Sequence, residues 1–355
     1  MRMEILQNIS LAPFTTLRIG GPARFFAEAH SAEQARQAVL WAREQRQPLF
    51  ILGGGSNLVV ADQGWPGLVL RIAIAGITAQ PGSGDEAVYD AGAGVDWDEF
   101  VARAVADGCA GVECLSGIPG TVGGTPVQNV GAYGQDVAQT IRTVDVLDLD
   151  SLEWRQLGNA ECGFAYRASR FNTSDRGRYL IVRVGFALRP GGAPRLKYPD
   201  LQAHFAGRKT PPSLAEVRQA VLEIRRRKAM LAGEEDPESR SAGSFFKNPL
   251  VSRVDYERIA ARWGRQGMSV PGFDQADGQV KLSAAWLVEH SGICKGFQLG
   301  PVGVSRKHVL ALVNRGGATA ADLLRLKELV ESRVRETFAI QLQPEPVFVG
   351  FTAEE

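Results

Sequence analysis

The feature that most restricts how this chain can fold is a glycine-rich segment that is also apolar. Residues 115–134 read LSGIPGTVGGTPVQNVGAYG, with six glycines and two prolines among twenty residues. The glycines and prolines interrupt helices and strands, whereas one isoleucine and three valines make the segment too apolar for a solvated loop. We interpret it as backbone that packs against a large, flat ligand, with the Gln128 and Asn129 amides available to polar ring edges. A compact Ω-loop is the alternative.

A second glycine cluster, LGGGSNLVV at residues 52–60, follows a predicted buried strand at 48–52. Consecutive glycines after a strand allow backbone amides to turn toward an anion. A Walker loop is excluded because no Gly-Lys-Ser/Thr is present, and a Rossmann fingerprint is excluded because Leu58 stands where the third glycine belongs. The cluster indicates a phosphate-binding turn, with a simple tight turn as the alternative.

A third motif, AGSFFKNP at residues 242–249, places Ser244 before two phenylalanines. It is not the nucleophile elbow of a serine hydrolase, because Phe246 stands where that motif needs its second glycine. A serine without a histidine base is a poor acid toward a neutral base, but an adequate one toward a developing carbanion or enolate. We therefore interpret Ser244 as a proton donor, with a capping or turn serine as the alternative.

A helix is predicted to start at the capping box Ser213–Glu216, which follows two prolines. Its apolar residues recur at three- and four-residue spacing, and the next position on this stripe is Lys228, with Arg225 at its border. Two cations that face inward suggest phosphate binding. The alternative is a charge cluster that offsets the helix dipole, which explains Arg226 and Arg227 better than Lys228.

Hydrophobic periodicity predicts further elements on both sides of these motifs. Helices are predicted from residue 31 to about 47, near 96–106, at about 281–290 and from about 320 to 338; strands are predicted at 48–52, 68–72, 144–149 and 179–188, with an extended tail at 340–351. The polar, turn-rich residues 232–241 predict a linker between domains.

Length, charge and cysteine content restrict the function classes. A chain of 355 residues predicts two or three domains. Forty Lys and Arg against thirty-nine Asp and Glu give a net charge of +1, so there is no general electrostatic case for binding nucleic acid or a membrane surface. The four cysteines form neither a CxxC pair nor a zinc-ligand cluster, so no disulfide framework or metal site is predicted. The first residues lack the apolar run of a signal peptide, and we expect a cytoplasmic protein.

Six motifs in the same order resemble those of the UDP-N-acetylenolpyruvoylglucosamine reductases, over essentially the whole chain. They are the LGGGSNLVV cluster, GIPGTVGGTPVQNVGAYG at 117–134, FAYRASRF at 164–171, RRRK at 225–228, GSFFKNP at 243–249 and QPEPVFVG at 343–350. Enzymes of this family catalyse the flavin-dependent second step of bacterial peptidoglycan precursor synthesis.

The resemblance implies an α+β chain that begins with an FAD-binding fold of the p-cresol methylhydroxylase/vanillyl-alcohol oxidase type and ends with an α+β substrate domain. It places FAD-binding subdomain 1 at residues 1–73 together with the C-terminal strand at 343–355, subdomain 2 at 74–229 and the substrate domain at 230–342. FAD should be noncovalent, because none of the four histidines lies in either flavin loop. We also expect a monomer.

The resemblance assigns binding residues to both ligands. The residues expected to contact FAD lie in the two glycine loops and at the end of the predicted helix, namely Gly53, Gly54, Gly55, Ser56, Asn57, Leu58, Gly117, Ile118, Pro119, Gly120, Thr121, Gln128, Asn129, Gly131, Ala132, Tyr133 and Arg225. The residues expected to contact the sugar nucleotide are Tyr198, on a substrate-capping loop at 195–201, and Lys228, Asn248 and His290.

The resemblance also implies the chemistry. NADPH is expected to reduce FAD and leave, and UDP-N-acetylenolpyruvoylglucosamine is expected to bind in its place. Hydride from flavin N5 then goes to C3 of the vinyl group, and Ser244 protonates C2 to give UDP-N-acetylmuramate. Arg167 is expected to supply positive charge to the substrate carboxylate, with Glu345 beside it, because developing enolate charge needs cations and proton donors aimed at it in advance.

Two alternative functions and two alternative residue roles remain open at this point. A flavin oxidase or dehydrogenase of the same fold would keep the glycine loops but would not need Ser244, Lys228 or Tyr198. A catalytically inactive nucleotide-binding or regulatory protein would need no proton donor at all. For single residues, Arg167 is alternatively part of a structural ion pair, and the prolines that flank Glu345 alternatively mark only the end of an edge strand.

Overall fold

The fold is given by a computed structural model that describes residues 3–231, 236–275 and 277–352. Its α-helices are α1 (Ala32–Glu44), α2 (Trp97–Ala106), α3 (Pro199–His204), α4 (Leu214–Arg227), α5 (Arg253–Gly264), α6 (Ala284–Glu289) and α7 (Ala320–Phe338). Short 3₁₀ helices lie at Ala12–Phe14, Glu113–Leu115, Val122–Gly124, Val137–Gln139, Asn159–Cys162, Arg170–Asn172 and Pro237–Ser239. Among these described residues, no helix combines the length and the apolar character needed to cross a bilayer.

The β-strands of the described residues are mostly short. They are β1 (Leu6–Ser10), β2 (Pro22–Ala29), β3 (Leu49–Leu52), β4 (Leu58–Val60), β5 (Trp65–Ile72), β6 (Ile77–Pro81), β7 (Ala87–Gly92), β8 (Cys109–Ala110), β9 (Gly131–Ala132), β10 (Gln135–Asp136), β11 (Ile141–Asp148), β12 (Trp154–Gly158), β13 (Tyr179–Pro190), β14 (Leu250–Val251), β15 (Gly272–Asp274), β16 (Val280–Leu282), β17 (Gln298–Leu299), β18 (Val302–Val304), β19 (Leu312–Asn314) and β20 (Val347–Val349).

The described residues form two compact units. Unit 1 is drawn from the segments Met1–Ile9, Pro22–Gly55 and Trp65–Ala232, and unit 2 from the segments Ser10–Gly21, Ser56–Gly64 and Gly233–Glu355. The finer division into FAD-binding subdomains at 1–73 and 74–229 and a substrate domain at 230–342 stays a prediction. Part of the predicted linker, residues 232–235, lies outside the described residues.

Unit 1 contains two larger sheets. The first has the strand order β1–β2–β5–β3, in which β5 pairs in parallel with both β2 and β3. The second runs β12–β11–β13–β7–β6 with antiparallel pairs, and β8 joins it along β13. The predicted helix α1 is present, and its N-cap Ser31 accepts a hydrogen bond from the Gln34 backbone N at 3.2 Å. A cap of this kind fixes where the helix begins because it satisfies an otherwise unpaired donor.

An aromatic cluster joins α2 to the second sheet. The Phe100 ring lies 5.4 Å from Trp97 on the same helix, 4.5 Å from Phe186 on β13 and 6.0 Å from Tyr89 on β7, between ring centroids. All four residues are at most 2% exposed. Asp96 starts α2 by accepting hydrogen bonds from the backbone N of Asp98 and Glu99. The Asp96 cap therefore fixes where α2 begins, and the aromatic cluster fixes α2 on the sheet. The start of α2 lies next to the second glycine loop in unit 1.

Unit 2 is built around α7 and three small sheets. The predicted helix from about 320 to 338 is confirmed as α7, and it buries one face that carries Leu323, Leu326, Val330, Val334 and Phe338. Strands β14–β16–β15 and β17–β18–β19 form antiparallel sheets, and β20 pairs in parallel with β4. The C-terminal strand therefore returns to the residues that follow the first glycine cluster.

The prediction of a helix from about residue 281 was wrong at its start. Residues 280–282 form β16, the central strand between β14 and β15, and α6 begins only at Ala284. The alternating pattern of this strand is too short to be recognised locally, and its pairing with two partners overrides the helical periodicity that follows. Within the predicted extended tail at 340–351, only residues 347–349 form a β-strand, β20.

Replacing Phe100 with Ala should lower the free energy of unfolding by about 3–5 kcal/mol, because it leaves a cavity among three aromatic rings. Urea unfolding followed by far-ultraviolet circular dichroism measures this change. Val254 on α5, which is 74% exposed, provides the control, since Val254→Ala should change the same quantity by less than about 0.5 kcal/mol. Similar small effects for both variants would contradict the assignment of Phe100 to the core.

Candidate functional site

The two glycine loops of unit 1 pack backbone against backbone. A Cβ placed on Gly54 would lie 2.6 Å from the Gly120 Cα and 3.0 Å from the Thr121 N, and one on Gly53 would lie 3.1 Å from the Thr121 Oγ1. Gly120 also has φ +131°, a conformation that residues with a side chain rarely adopt. The loops therefore need glycine at this point, and they present main-chain groups to whatever binds there.

Two side chains hold the beginning of the second loop. The Gly117 backbone N donates to Asp98 Oδ1 at 2.6 Å, and the Gly117 carbonyl accepts from Arg225 Nε at 2.9 Å. Arg218 on α4 donates to both carboxylate oxygens of Asp98 at 2.5 and 2.7 Å. Burial alone would raise the Asp98 pKa, but the hydrogen bonds from Arg218 and Gly117 outweigh it, so the pKa is lowered and the carboxylate stays ionised.

Arg225 is buried, as the stripe of α4 predicted. It is 8% exposed, and besides Gly117 it donates from Nη2 to the Met230 carbonyl at 2.7 Å. Burial lowers the pKa of its guanidinium, and a hydrogen bond with Tyr133 acts in the opposite direction. The predicted inward direction is confirmed, whereas the expected contact with FAD phosphates stays a prediction.

The segment around Arg167 is attached to the second loop by three hydrogen bonds. Asn129 Nδ2 donates to the Ala165 carbonyl at 3.0 Å, Arg167 Nη1 donates to the Gly131 carbonyl at 2.8 Å, and Ser169 Oγ donates to the Val127 carbonyl at 2.6 Å. Both Asn129 and Arg167 have φ near +50°, so the local backbone is held in a conformation that needs such support. The three hydrogen bonds therefore hold Arg167 against the loop that is expected to bind FAD.

These residues fit FAD. The Thr121 Oγ1 is buried and has no hydrogen-bond partner within the described part of the chain, which leaves a donor and acceptor at the junction of the two loops. At the same junction Gly54 and Gly120 pack main chain against main chain without a side chain, and the guanidinium of Arg225 supplies positive charge to the second loop. Main-chain amides and a nearby cation are the groups that a dinucleotide pyrophosphate requires.

Two residues that are expected to bind the sugar nucleotide, Tyr198 and Lys228, contact the ring of Tyr133 in the second loop. The Tyr198 ring meets the Tyr133 ring edge-on with centroids 5.2 Å apart, and Lys228 Nζ lies 6.0 Å from the Tyr133 centroid. Lys228 Nζ also donates to Asp200 Oδ2 at 2.8 Å. Burial would lower the Lys228 pKa, but the hydrogen bond with Asp200 raises it overall, so this amine remains protonated.

In unit 2, main-chain hydrogen bonds place the Ser244 motif beside Glu345. Phe246 and Pro344 form an antiparallel bridge, and the Glu345 N donates to the Phe245 carbonyl at 2.8 Å. Asn57 Nδ2 donates to the Glu345 carbonyl at 3.2 Å. Ser244 is half-buried, whereas the two phenylalanines that follow it are at most 2% exposed. Within unit 2, Ser244 is thus attached to a rigid core next to Glu345 and Asn57.

Asn248 and His290 also have defined partners in unit 2. Asn248 Oδ1 accepts from the Ala284 N at 2.9 Å, which orients the amide so that its nitrogen is the group able to donate to a ligand. The His290 ring stacks on Trp286 with centroids 4.0 Å apart, and its Nδ1 donates to the Trp286 carbonyl at 2.8 Å. Nε2 is then the ring nitrogen that is left to contact a ligand. Their contacts with the nucleotide stay predictions.

Three acidic residues in the site were not predicted from the sequence. Asp98 holds Gly117, and Asp200 pairs with Lys228. Glu113, which is fully buried, accepts from Gln135 Nε2 at 2.8 Å and from the Arg195 N at 2.9 Å, and so holds the base of the loop that carries Tyr198. Only Asp200 had a local signal, its position two residues after Tyr198 at the start of α3.

Comparison with known proteins identifies the family. A family model described as UDP-N-acetylenolpyruvoylglucosamine reductase, C-terminal domain, matches residues 236–349, and one described as FAD binding domain matches residues 23–152. UDP-N-acetylenolpyruvoylglucosamine reductase from Thermobifida fusca is 45% identical over 99% of this chain and 100% of its own length. The protein of the same name from Streptomyces avermitilis is 42% identical over 99% of this chain and 96% of its own length.

A solved structure agrees with this result. The crystal structure of UDP-N-acetylenolpyruvylglucosamine reductase from Thermus caldophilus superposes with a TM-score of 0.65 at 26% sequence identity, and covers 98% of this chain and 99% of that one. The predicted α+β fold, a two-subdomain FAD-binding fold followed by a C-terminal domain, is confirmed. The chain therefore belongs to the UDP-N-acetylenolpyruvoylglucosamine reductases, a family of FAD-dependent oxidoreductases.

Proposed function

We propose that this chain reduces UDP-N-acetylenolpyruvoylglucosamine to UDP-N-acetylmuramate, with NADPH as the electron donor, in peptidoglycan precursor synthesis. One observation carries the proposal: Tyr198 and Lys228 both lie on Tyr133, a residue of the loop expected to hold FAD. A phenol and a cation beside a flavin loop provide the hydrogen bond and the positive charge that a diphosphate substrate requires. An oxidase acting on an uncharged substrate would need neither.

The two glycine loops would hold FAD noncovalently, through main-chain groups at Gly53, Gly54 and Gly120 and through the Thr121 hydroxyl. When bound, FAD takes up a hydride from NADPH and supplies it from N5 to C3 of the vinyl group. Arg225 contributes positive charge for the pyrophosphate, and its hydrogen bonds to two main-chain carbonyls fix the direction of its guanidinium. Neither glycine loop contains a histidine that could form a covalent link.

The remaining chemistry is a proton transfer and a charge that must be stabilised. As C3 accepts hydride, negative charge develops on C2 and the adjacent carboxylate. Ser244 Oγ donates the proton to C2, and its neighbours Phe245 and Phe246 fix its backbone in the core. Arg167, attached to the Gly131 carbonyl, supplies the positive charge for the carboxylate, and Glu345 lies beside the serine motif. Preorganised groups of this kind stabilise developing charge without reorganisation during the reaction.

We further propose that the enzyme works in the cytoplasm. All four cysteines, each in the described part of the chain, are free thiols, and Cys294 is exposed. Exposed free thiols are typical of a reducing compartment. The expectation of a monomer stays a prediction.

Replacing Ser244 with Ala should separate the two half-reactions. Anaerobic reduction of the bound flavin by NADPH should keep its rate within about twofold, because no proton reaches C2 in that step. Reoxidation by UDP-N-acetylenolpyruvoylglucosamine should slow by at least about a hundredfold, the usual contribution of a positioned general acid. Stopped-flow absorbance of the flavin measures both steps.

Equal slowing of both half-reactions would remove the proton-donor assignment of Ser244. The wild-type protein tests the function itself in the same experiment. A protein that NADPH reduces but that the enolpyruvyl sugar nucleotide does not reoxidise would instead favour an oxidase or dehydrogenase with another substrate.

Replacing Lys228 with Ala should raise the KM for the sugar nucleotide about tenfold or more and change kcat by less than about threefold, because a charge-assisted hydrogen bond to the diphosphate is lost in ground and transition states alike. Arg227→Ala is the matched control, since it removes an exposed positive charge from the same turn of α4. Steady-state kinetics at constant ionic strength measures both. An equal change in the two variants would assign Lys228 to the helix dipole.

A further inference from the structure

The cation expected to bind the substrate already has an anionic partner in this structure. Lys228 Nζ donates to Asp200 Oδ2 at 2.8 Å, and the two side chains are 32% and 41% exposed. Asp200 has no part in the reaction described above. A carboxylate on a substrate-binding lysine nevertheless changes how strongly that lysine can bind a phosphate.

The position of Asp200 is fixed by its surroundings in unit 1. It lies in the first turn of α3, directly before Leu201, which is fully buried against Val217, Val221 and Ile224 of α4. Upstream, the Arg195 N donates to the buried Glu113 carboxylate at 2.9 Å. The loop from 195 to 201 is therefore attached at both ends, and the carboxylate of Asp200 is held next to Lys228 while Tyr198 rests on Tyr133.

A diphosphate that reaches Lys228 meets Asp200 in one of two ways. If a phosphate oxygen replaces Oδ2, the Lys228–Asp200 ion pair is lost and part of the binding free energy is spent on breaking it. If the phosphate binds beside the carboxylate, two anions share one cation and repel each other. Both arrangements weaken the binding of a diphosphate, so the expected sign does not depend on which of them occurs.

We propose that Asp200 limits the affinity of the site for diphosphates. The inference rests on the proposed function, in which NADPH and the sugar nucleotide enter one site in turn. Both ligands carry a diphosphate, and each must leave before the other can bind. A lysine without a competing carboxylate would bind both ligands for longer. With Asp200 present, the ion pair between Lys228 and Asp200 forms again when a diphosphate leaves.

The test is the binding of UDP to the FAD-loaded, full-length protein, measured by isothermal titration calorimetry at constant ionic strength. Asp200→Asn keeps the shape of the side chain and removes its charge. UDP should bind at least about threefold more tightly to this variant, a change in the range of a partly exposed ion pair. In steady-state kinetics, the KM for the sugar nucleotide should fall in the same variant.

Two controls make the result specific. Glu223→Gln removes an exposed negative charge from the same helix that leads to Lys228, and it should leave the Kd for UDP unchanged. In a Lys228→Ala background, Asp200→Asn should lose its effect if the two anions compete for Lys228 and keep it if the carboxylate repels the diphosphate directly, so either result supports the proposal and separates the two arrangements. An equal gain from Glu223→Gln would overturn the proposal, since Asp200 would then act only through the overall charge.

The remaining outcomes separate the inference from the function on which it rests. If the wild type binds UDP, Lys228→Ala weakens this binding and Asp200→Asn leaves it unchanged or weaker, the inference is overturned and the proposed function stands. If the wild type binds no UDP at all, the assignment of Lys228 and Tyr198 to a diphosphate site is overturned, and the inference with it.

Discussion

The contact between two glycine loops without any side chain between them is the constraint on which the rest of unit 1 depends. A Cβ on Gly54 would come within 2.6 Å of Gly120, a distance that real Cβ atoms do not reach. Since neither loop has a side chain at this point, the main-chain groups of both can contact one cofactor. The glycines disfavour regular secondary structure in both segments. The same glycines allow the two segments to form one binding surface.

A loop with little regular secondary structure satisfies only part of its main-chain polar groups internally, for example where the Val130 N donates to the Thr125 carbonyl at 3.1 Å. Its main chain is also held by side chains that are distant in sequence: Asp98 and Arg225 at Gly117, Arg167 at Gly131 and Ser169 at Val127. Three of these, Asp98, Arg225 and Arg167, are buried or half-buried charges, whose desolvation is offset by hydrogen bonds with main-chain groups and, for Asp98, with Arg218. The conformation of the loop is thus determined mainly by residues outside it.

This arrangement explains which features the sequence could predict. The N-cap of α1, the capping box of α4 and the apolar stripes of α4 and α7 are local patterns, and the inward direction of Arg225 followed from the stripe of α4 alone. The start of α6 could not be predicted, because β16 is defined by its two partner strands. Asp98 and Glu113 were missed for a similar reason. A single acidic residue carries no pattern, and its partners Arg218 and Arg195 lie 120 and 82 residues away in the chain.

Tyr133 shows how ligand recognition in unit 1 is linked to the flavin loop. Its φ of +49° is unfavourable for a residue with a side chain, at a cost of about 1–2 kcal/mol. The packing of its ring, which is 8% exposed, compensates for this strain. Because Tyr198 and Lys228 both contact that ring, the proposed diphosphate site shares Tyr133 with the loop expected to bind FAD. Under the proposed function, an anion that binds Lys228 would lie beside Tyr133, whose backbone belongs to the loop expected to bind FAD, so that one residue of unit 1 would link the recognition of the two ligands.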